Sequence, residues 1–269
     1  MGRHPEQRLE AQPKAPLASG IRLAARPLVD LEIVVPALNE EHRIGTTIST
    51  IGDYLARQPY LGAVVIIDNG SVDRTADAVA EAAADCQVSV HLTNCARRGK
   101  GAAIRRGILT SHASFVGYCD ADLATPIETL DAVWTLLHSG YPIVIGSRRC
   151  PGSTGVRERS LTRKVGSWGF HLLVHPLVGT VGDTQCGFKF FEGVVAHWIF
   201  ERCMTDGFAF DVEVLARAAT AGIPVHEIPV EWSEKPGSTL RPVRDGVPSM
   251  LAVASVARTL RHDRVPEIQ

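Results

Sequence analysis

The chain has 269 residues, 45% of them hydrophobic and 21% charged, with a formal net charge of -1. That length suffices for one large domain with a sizeable core, and the neutral balance leaves no global electrostatic case for a nucleic-acid partner. Six cysteines without a CxxC pair or zinc spacing read as reduced thiols of a cytosolic protein. No apolar run reaches the ~18–20 residues that span a bilayer, and the N-terminus lacks the apolar centre of a secretory signal.

Residues 1–29 read as a flexible, mildly basic tail, with Pro5, Pro13, Pro16 and Pro27 and little periodicity. From Leu31 onward, apolar runs alternate with helical patterns. Strands are expected at 31–35, 63–67, 87–92, 115–119 and 143–145, and helices at 44–57, 73–84, 100–111 and from Thr125 onward. Ser71 is placed to cap the second helix, and Thr125-Pro126-Ile127-Glu128 has the form of a capped helix start. The second half is less regular. Helices are expected at 159–174, 193–203 and 211–220, a strand at 225–232, and an amphipathic helix at 246–261. The alternation predicts an α/β fold with a mostly parallel, Rossmann-like sheet flanked by helices.

In such sheets ligands bind beyond the carboxyl ends of the strands. Here those ends carry Pro36-Ala37-Leu38-Asn39-Glu40, Asp68-Asn69-Gly70-Ser71, Asp120-Ala121-Asp122 and Gly146-Ser147-Arg148-Arg149. Paired carboxylates are hard oxygen ligands suited to Mg²⁺ or Mn²⁺, which are commonly held by one or two carboxylates plus substrate phosphates. A planar guanidinium such as Arg148 can grip a phosphate through two parallel hydrogen bonds. At Asp68 to Gly70 a plain turn is the alternative reading, one that does not explain polar ends on all four strands. No GxGxxG follows the first strand, which speaks against a dinucleotide-dependent dehydrogenase.

The segments Pro36 to Glu41, Asp68 to Thr75 and Asp120-Ala121-Asp122 resemble the signatures of family 2 glycosyltransferases of the GT-A fold. Arg98 to Ala103, Gly146-Ser147-Arg148, Asp183 to Lys189 and Phe210-Asp211-Val212-Glu213 are similar to the polyprenyl-phosphate branch, and within it to the dolichyl-phosphate glucosyl subgroup. The resemblance runs over residues 30–240, taken as the glycosyltransferase domain, with 241–269 as a C-terminal helix and tail. It implies that Pro36, Leu38 and Glu40 line the nucleotide pocket, with Leu38 standing where the family often has an aromatic. It further implies that Asp68 meets the base, and that Asp120, Ala121 and Asp122 hold the ribose–diphosphate end. Asp120 and Asp122 would be the metal carboxylates, with Asp122 the direct ligand. Lys100, at a helix start, would face phosphate. Arg148, Arg163 and Ser167 would receive the acceptor phosphate; the last two lie four apart on one helix face. Lys235 or Arg241 would supply charge in a segment closing on the diphosphate, where the family often has a lysine in place of Thr239. Asp211 either positions the acceptor or acts as a base, or with Glu213 only caps the helix they begin.

The expected reaction is metal-dependent inverting transfer of a hexosyl group from a nucleotide sugar to polyprenyl phosphate. UDP-glucose is the favoured donor; UDP-N-acetylhexosamine and GDP-mannose stay open. The alternatives are a family 2 enzyme with a soluble or polysaccharide acceptor, which needs a base near the acceptor hydroxyl, and a non-catalytic nucleotide- or lipid-binding protein. A lipid acceptor implies peripheral attachment to the cytoplasmic face of a membrane, with residues 163–178 and 247–261 as the candidate interfacial segments; the alternative is that both pack on the domain, the simpler reading for 247–261.

Overall fold

The computed structural model describes residues 29–155, 174–233 and 242–262, the last stretch with side chains from 250 to 260. Its strands are β1 Leu31–Ala37, β2 Gly62–Asp68, β3 Ser89–Asn94, β4 Phe115–Cys119, β5 Ile143–Ser147, β6 Phe188–Glu192 and β7 Val225–Pro229. Its helices are α1 Ile44–Ala56, α2 Thr75–Asp85, α3 Lys100–Thr110, α4 Leu130–His138, the helical residues 174–178 (α5), α6 Gly193–Arg202, α7 Phe210–Thr220 and α8 Pro242–His262. One sheet runs in the order β3-β2-β1-β4-β6-β5-β7. Its pairings are parallel except around β6, which lies antiparallel between β4 and β5.

The sheet is buried on both faces, which explains why its central strands read as continuous apolar runs. Ile33, Val35, Val64 and Ile66 pack toward α1, α2 and α4, where Ile44, Ile48 and Ile51 supply the apolar stripe of α1. Val34, Val65, Ile67 and Tyr118 face α3, α6 and α7. Helix α8 closes that second layer with Val253 and Val256, so the C-terminal helix belongs to the same core as the rest of the domain.

Strand β6 was absent from the sequence expectation, and its direction places the site. Its register sets Phe188 opposite Cys119 and Lys189 opposite Tyr118. The loop that enters β6 therefore arrives at the edge where β4 ends, and brings Gly187 against Asp120.

Two expected helix starts are corrected. Helix α2 begins at Thr75 without a side-chain cap from Ser71; Ser71 Oγ instead accepts the Asn39 backbone N–H at 2.9 Å. Helix α4 begins at Leu130 after a 3₁₀ turn at Ile127–Thr129, and Thr125 is buried beside the Cys186 sulfur rather than capping it. In each case a tertiary partner competes for the hydroxyl. The helix expected at 159–174 falls almost wholly outside the described residues.

Candidate active site

The carboxyl ends of β1 and β2 stand side by side, with Ala37 opposite Asp68, and their loops are laced together. Asn39 Oδ1 accepts the Val72 N–H at 2.9 Å, Thr75 Oγ1 accepts the Glu40 N–H at 2.8 Å, and Asp73 Oδ2 accepts the Glu41 N–H at 3.2 Å. Asn39 turns the chain at φ 56°, a left-handed conformation that asparagine tolerates better than most residues. The turn leaves the Leu38 side chain 43% exposed beyond the strand end. Pro36 is half-buried, and so is Asp68, whose Oδ1 accepts the Ser71 N–H at 3.0 Å.

At the end of β4 the Asp120–Asp122 turn is held from both sides. The Ala121 carbonyl accepts the Thr47 hydroxyl of α1 at 2.5 Å, and Asp122 Oδ1 accepts the Ala124 N–H at 3.0 Å. Ala121 is buried. Its side chain packs in the core and its carbonyl anchors the turn, so any contact with a nucleotide falls to its backbone N–H. Leu123 follows at φ 46°, a costly conformation for a branched side chain that the surrounding bonds impose.

Lys100 opens α3, and its ammonium lies 2.5 Å from Asp120 Oδ1. Gly99 before it has φ 126°, and a side chain there would collide with the Asp206 carbonyl. Only glycine lets the loop descend so close to that backbone. Asn69, buried, ties the same loop to β2: its Nδ2 donates to the Arg97 carbonyl at 2.8 Å, and its Oδ1 accepts the Gly99 N–H at 2.7 Å. Sequence reading saw Asn69 only as a turn residue. An Asn beside an Asp at a strand end was the available signal, but its partner lies 30 residues away.

The charges at this edge act on one another. Burial raises the Asp122 carboxyl above the usual range and the Asp120 charge adds to it. Burial likewise raises Glu40; Arg43, paired with Glu40 at 2.8 Å, opposes the shift, while Asp122, Asp73 and Asp120 add to it. Burial pulls Lys100 down, but Asp120, Asp211 and Asp122 outweigh it and hold its pKa above that of an ordinary lysine. Among the described residues no three His, Cys, Asp or Glu side chains converge as a metal cage. A divalent cation held by a carboxylate and substrate phosphates needs no cage. Asp122, a hard oxygen donor crowded by like charge, suits such a cation. Asp120 already carries Lys100 on one oxygen, Oδ1.

These raised carboxyls give a stability prediction. A carboxyl whose folded pKa is raised binds more protons in the folded than in the unfolded state, so its contribution falls as pH rises through the interval between the two values. Without added metal, Asp122→Asn is therefore expected to melt above the wild type at neutral pH, and to lose that advantage below the ordinary carboxylate range. Mn²⁺ should raise the melting temperature of the wild type and leave that of the variant unmoved. Equal melting of the two proteins at both pH values contradicts the crowding.

Arg148 requires a correction. Its Nε and Nη2 donate to Asp183 Oδ2 and Oδ1 at 2.7 and 2.8 Å, and its backbone N–H donates to Oδ2 at 3.0 Å. Its guanidinium also lies 5.6 Å from the Trp232 ring centroid. The Nε–Nη2 edge expected to grip a phosphate is engaged by a buried carboxylate, which burial would raise but the Arg148 bonds and charge hold well below the usual range. The Gly182 and Asp183 N–H groups in turn donate to Glu227 of β7 at 2.8 and 3.0 Å. Arg148 is thus a strut of the site wall. Its side chain is 15% exposed and that of Asp183 4%, so Asp183→Ala is expected to cost about 3–5 kcal/mol through the stranded guanidinium, measured by denaturant unfolding.

Asp211 is corrected as well. It is buried, and its Oδ1 accepts both the Tyr118 hydroxyl at 2.6 Å and the Lys189 ammonium at 2.5 Å. Both bonds fall on Oδ1, so this oxygen serves to hold Tyr118 and Lys189 beneath the site. Neither it nor Glu213 caps α7. Glu213 accepts the Met204 and Thr205 N–H groups and pairs with Arg217 at 2.8 Å. Helix α7 is buried all round from Phe210 to Ala218, so its charged residues must pair internally. Arg163, Ser167 and Lys235 lie outside the described residues. Glu40, Lys100, Asp120 and Asp122 are brought together at the edge; Pro36, Leu38 and Asp68 stand on the neighbouring strand ends.

A mostly parallel sheet flanked by helices, with an acidic turn and a lysine at its carboxyl edge, is an architecture of the GT-A type. The family model for glycosyl transferase family 2 matches residues 32–195, and the chain belongs to that family; it is a glycosyltransferase. It is 35% identical to the dolichyl-phosphate beta-glucosyltransferase of Dictyostelium discoideum over 81% of this chain and 70% of that one. It is 32% identical to the Homo sapiens enzyme of the same name over 89% and 78%. Among solved structures, glucosyl-3-phosphoglycerate synthase from Mycobacterium tuberculosis with Mn²⁺ and UDP-glucose superposes with a TM-score of 0.64 at 16% identity, over 90% of this chain and 81% of that one. That likeness is one of fold.

Proposed function

We propose that the chain transfers glucose from UDP-glucose to a dolichyl or other polyprenyl phosphate, with inversion and with Mg²⁺ or Mn²⁺ at Asp122. The observation that carries this reading is the similarity, across most of both chains, to enzymes named for that reaction, laid on an acidic edge that suits a metal-bound diphosphate. The bound cation supplies positive charge to the departing nucleoside diphosphate.

This chain's own residues do the rest. Lys100, held beside Asp120 at the start of α3, adds a fixed positive charge at the diphosphate. The exposed Leu38, with Pro36 and Asp68, forms the base side, and Glu40 closes the β1 end. Arg163 and Ser167 receive the acceptor phosphate, and Lys235 closes on the donor. A phosphomonoester is largely dianionic near neutral pH because its second pKa is about 6, so the acceptor attacks without a protein base. The engagement of Asp211 Oδ1 by Tyr118 and Lys189 is in keeping with that. Catalysis is then alignment and charge stabilisation, and single in-line attack inverts the sugar centre.

Incubation of the purified protein with radiolabelled UDP-glucose, Mn²⁺ and polyprenyl phosphate tests the reading. Label should pass into the organic phase as a lipid-linked sugar. Label that stays aqueous while UDP is released points to a soluble acceptor or hydrolysis. UDP-N-acetylhexosamine and GDP-mannose serve as competing donors.

With a lipid acceptor, the enzyme works at the cytoplasmic face of a membrane, attached peripherally. No helix among the described residues is long and apolar enough to cross a membrane. Met250 and Leu251 of α8 are 45% and 66% exposed beside the buried Val253, which supports an interfacial role for this helix. Flotation with anionic liposomes should carry the protein upward; failure to float with either neutral or anionic lipid removes the attachment.

A further inference from the structure

Lys189 has no exposed side-chain surface. An ammonium is costly to bury without partners, and here it has two. It donates to the Cys186 carbonyl at 2.5 Å and to Asp211 Oδ1 at 2.5 Å. The Tyr118 hydroxyl donates to the same Asp211 oxygen at 2.6 Å, and the ammonium lies 5.6 Å from the Tyr118 ring centroid. Tyr118 and Lys189 face each other in the β4–β6 register. Just beyond, Asp120 and Gly187 meet so closely that a side chain at 187 would strike both Asp120 oxygens.

The chain of contacts is therefore continuous. The Lys189 ammonium draws in the Cys186 carbonyl, the peptide that follows carries Gly187, and Gly187 backs the Asp120 carboxylate that holds Lys100. The Asp211 charge acts on Lys100 as well. We propose that Lys189, with Asp211 and Tyr118, is a positioning group for the nucleotide diphosphate: it sets the Asp120–Lys100 pair through the Cys186-Gly187 backbone. The inference rests on the reading of Asp120, Asp122 and Lys100 as the diphosphate site.

The test is the double variant Lys189→Met/Asp211→Asn. Removing both charges leaves no stranded ion, and the amide oxygen introduced at position 211 still accepts the Tyr118 hydroxyl. UDP binding in Mn²⁺ is measured by calorimetry well below the melting temperature, with the KM for each substrate. Loss of an outer partner typically costs about 10–100-fold, so UDP affinity should fall by about 10-fold or more. The KM for UDP-glucose should rise in step, while that for polyprenyl phosphate stays within about twofold. A merely structural pair would lower the melting temperature and the active fraction while UDP affinity holds; that result overturns the proposal. If the double variant does not fold, Tyr118→Phe decides. It removes one hydrogen bond to Asp211, with an expected rise in the UDP-glucose KM of about fivefold, and an unchanged KM overturns the proposal. A wild type that fails to bind UDP at all overturns the underlying site instead.

Discussion

Asp122→Ala is expected to yield a folded, slightly stabilised protein whose transfer rate falls by about 10²–10³-fold, the scale for losing one preorganised electrostatic group. The direction of the stability change separates this residue from its neighbour. Asp122 is crowded by Asp120 and buried enough for its carboxyl to be raised, so its removal relieves repulsion. Asp120 is the partner of Lys100 at 2.5 Å, so Asp120→Ala leaves a half-buried ammonium without its closest anion and is expected to lower both stability and activity. Turnover by each variant at saturating Mn²⁺, paired with its melting temperature without added metal, reads out the two patterns. Full turnover by Asp122→Ala removes the cation from that position.

Gly187→Ala is expected to strike the donor site harder than the fold. The added methyl group would occupy the place of the Asp120 carboxylate. Strand β6 cannot retreat, because Phe188 and Phe190 are fully buried and paired with β4. The short Asp120 side chain must therefore swing away and release Lys100. Overpacking of this kind costs about 1–3 kcal/mol in stability, but the larger effect falls on the donor: affinity for UDP and transfer should both collapse in protein that still folds. Circular dichroism beside UDP titration measures the split. A variant with wild-type UDP affinity would show that Asp120 is free to move without loss, which contradicts its place at the diphosphate.

Much of the architecture is legible in the sequence. The runs Leu31 to Val35, Ala63 to Ile67 and Ile143 to Ile145 are apolar and rich in β-branched residues because parallel strands are covered on both faces. The helices between them show the period of one buried stripe. The resemblance named the edge where Asp120, Asp122, Lys100 and Glu40 assemble. Strand β6 escaped notice because Phe188-Lys189-Phe190-Phe191 has no alternation and carries a lysine, which reads as solvated in a linear view. Ser71 and Thr125 look like helix caps in sequence, yet their hydroxyls answer to Asn39 and Cys186 across the fold.

By itself the sequence determined the layer type, the order of most elements and the chemical character of the strand ends, because these depend on local periodicity and on residue type. Only the tertiary structure decided which charges neutralise one another. Arg148 closes on Asp183, 35 residues away, Lys189 on Asp211, and Lys100 on Asp120. A buried charge takes whichever opposite charge the fold carries to it, and that choice turns on strand direction and register rather than on distance along the chain. The antiparallel entry of β6 is the clearest instance: one reversed strand places Gly187 behind Asp120 and Lys189 beneath it.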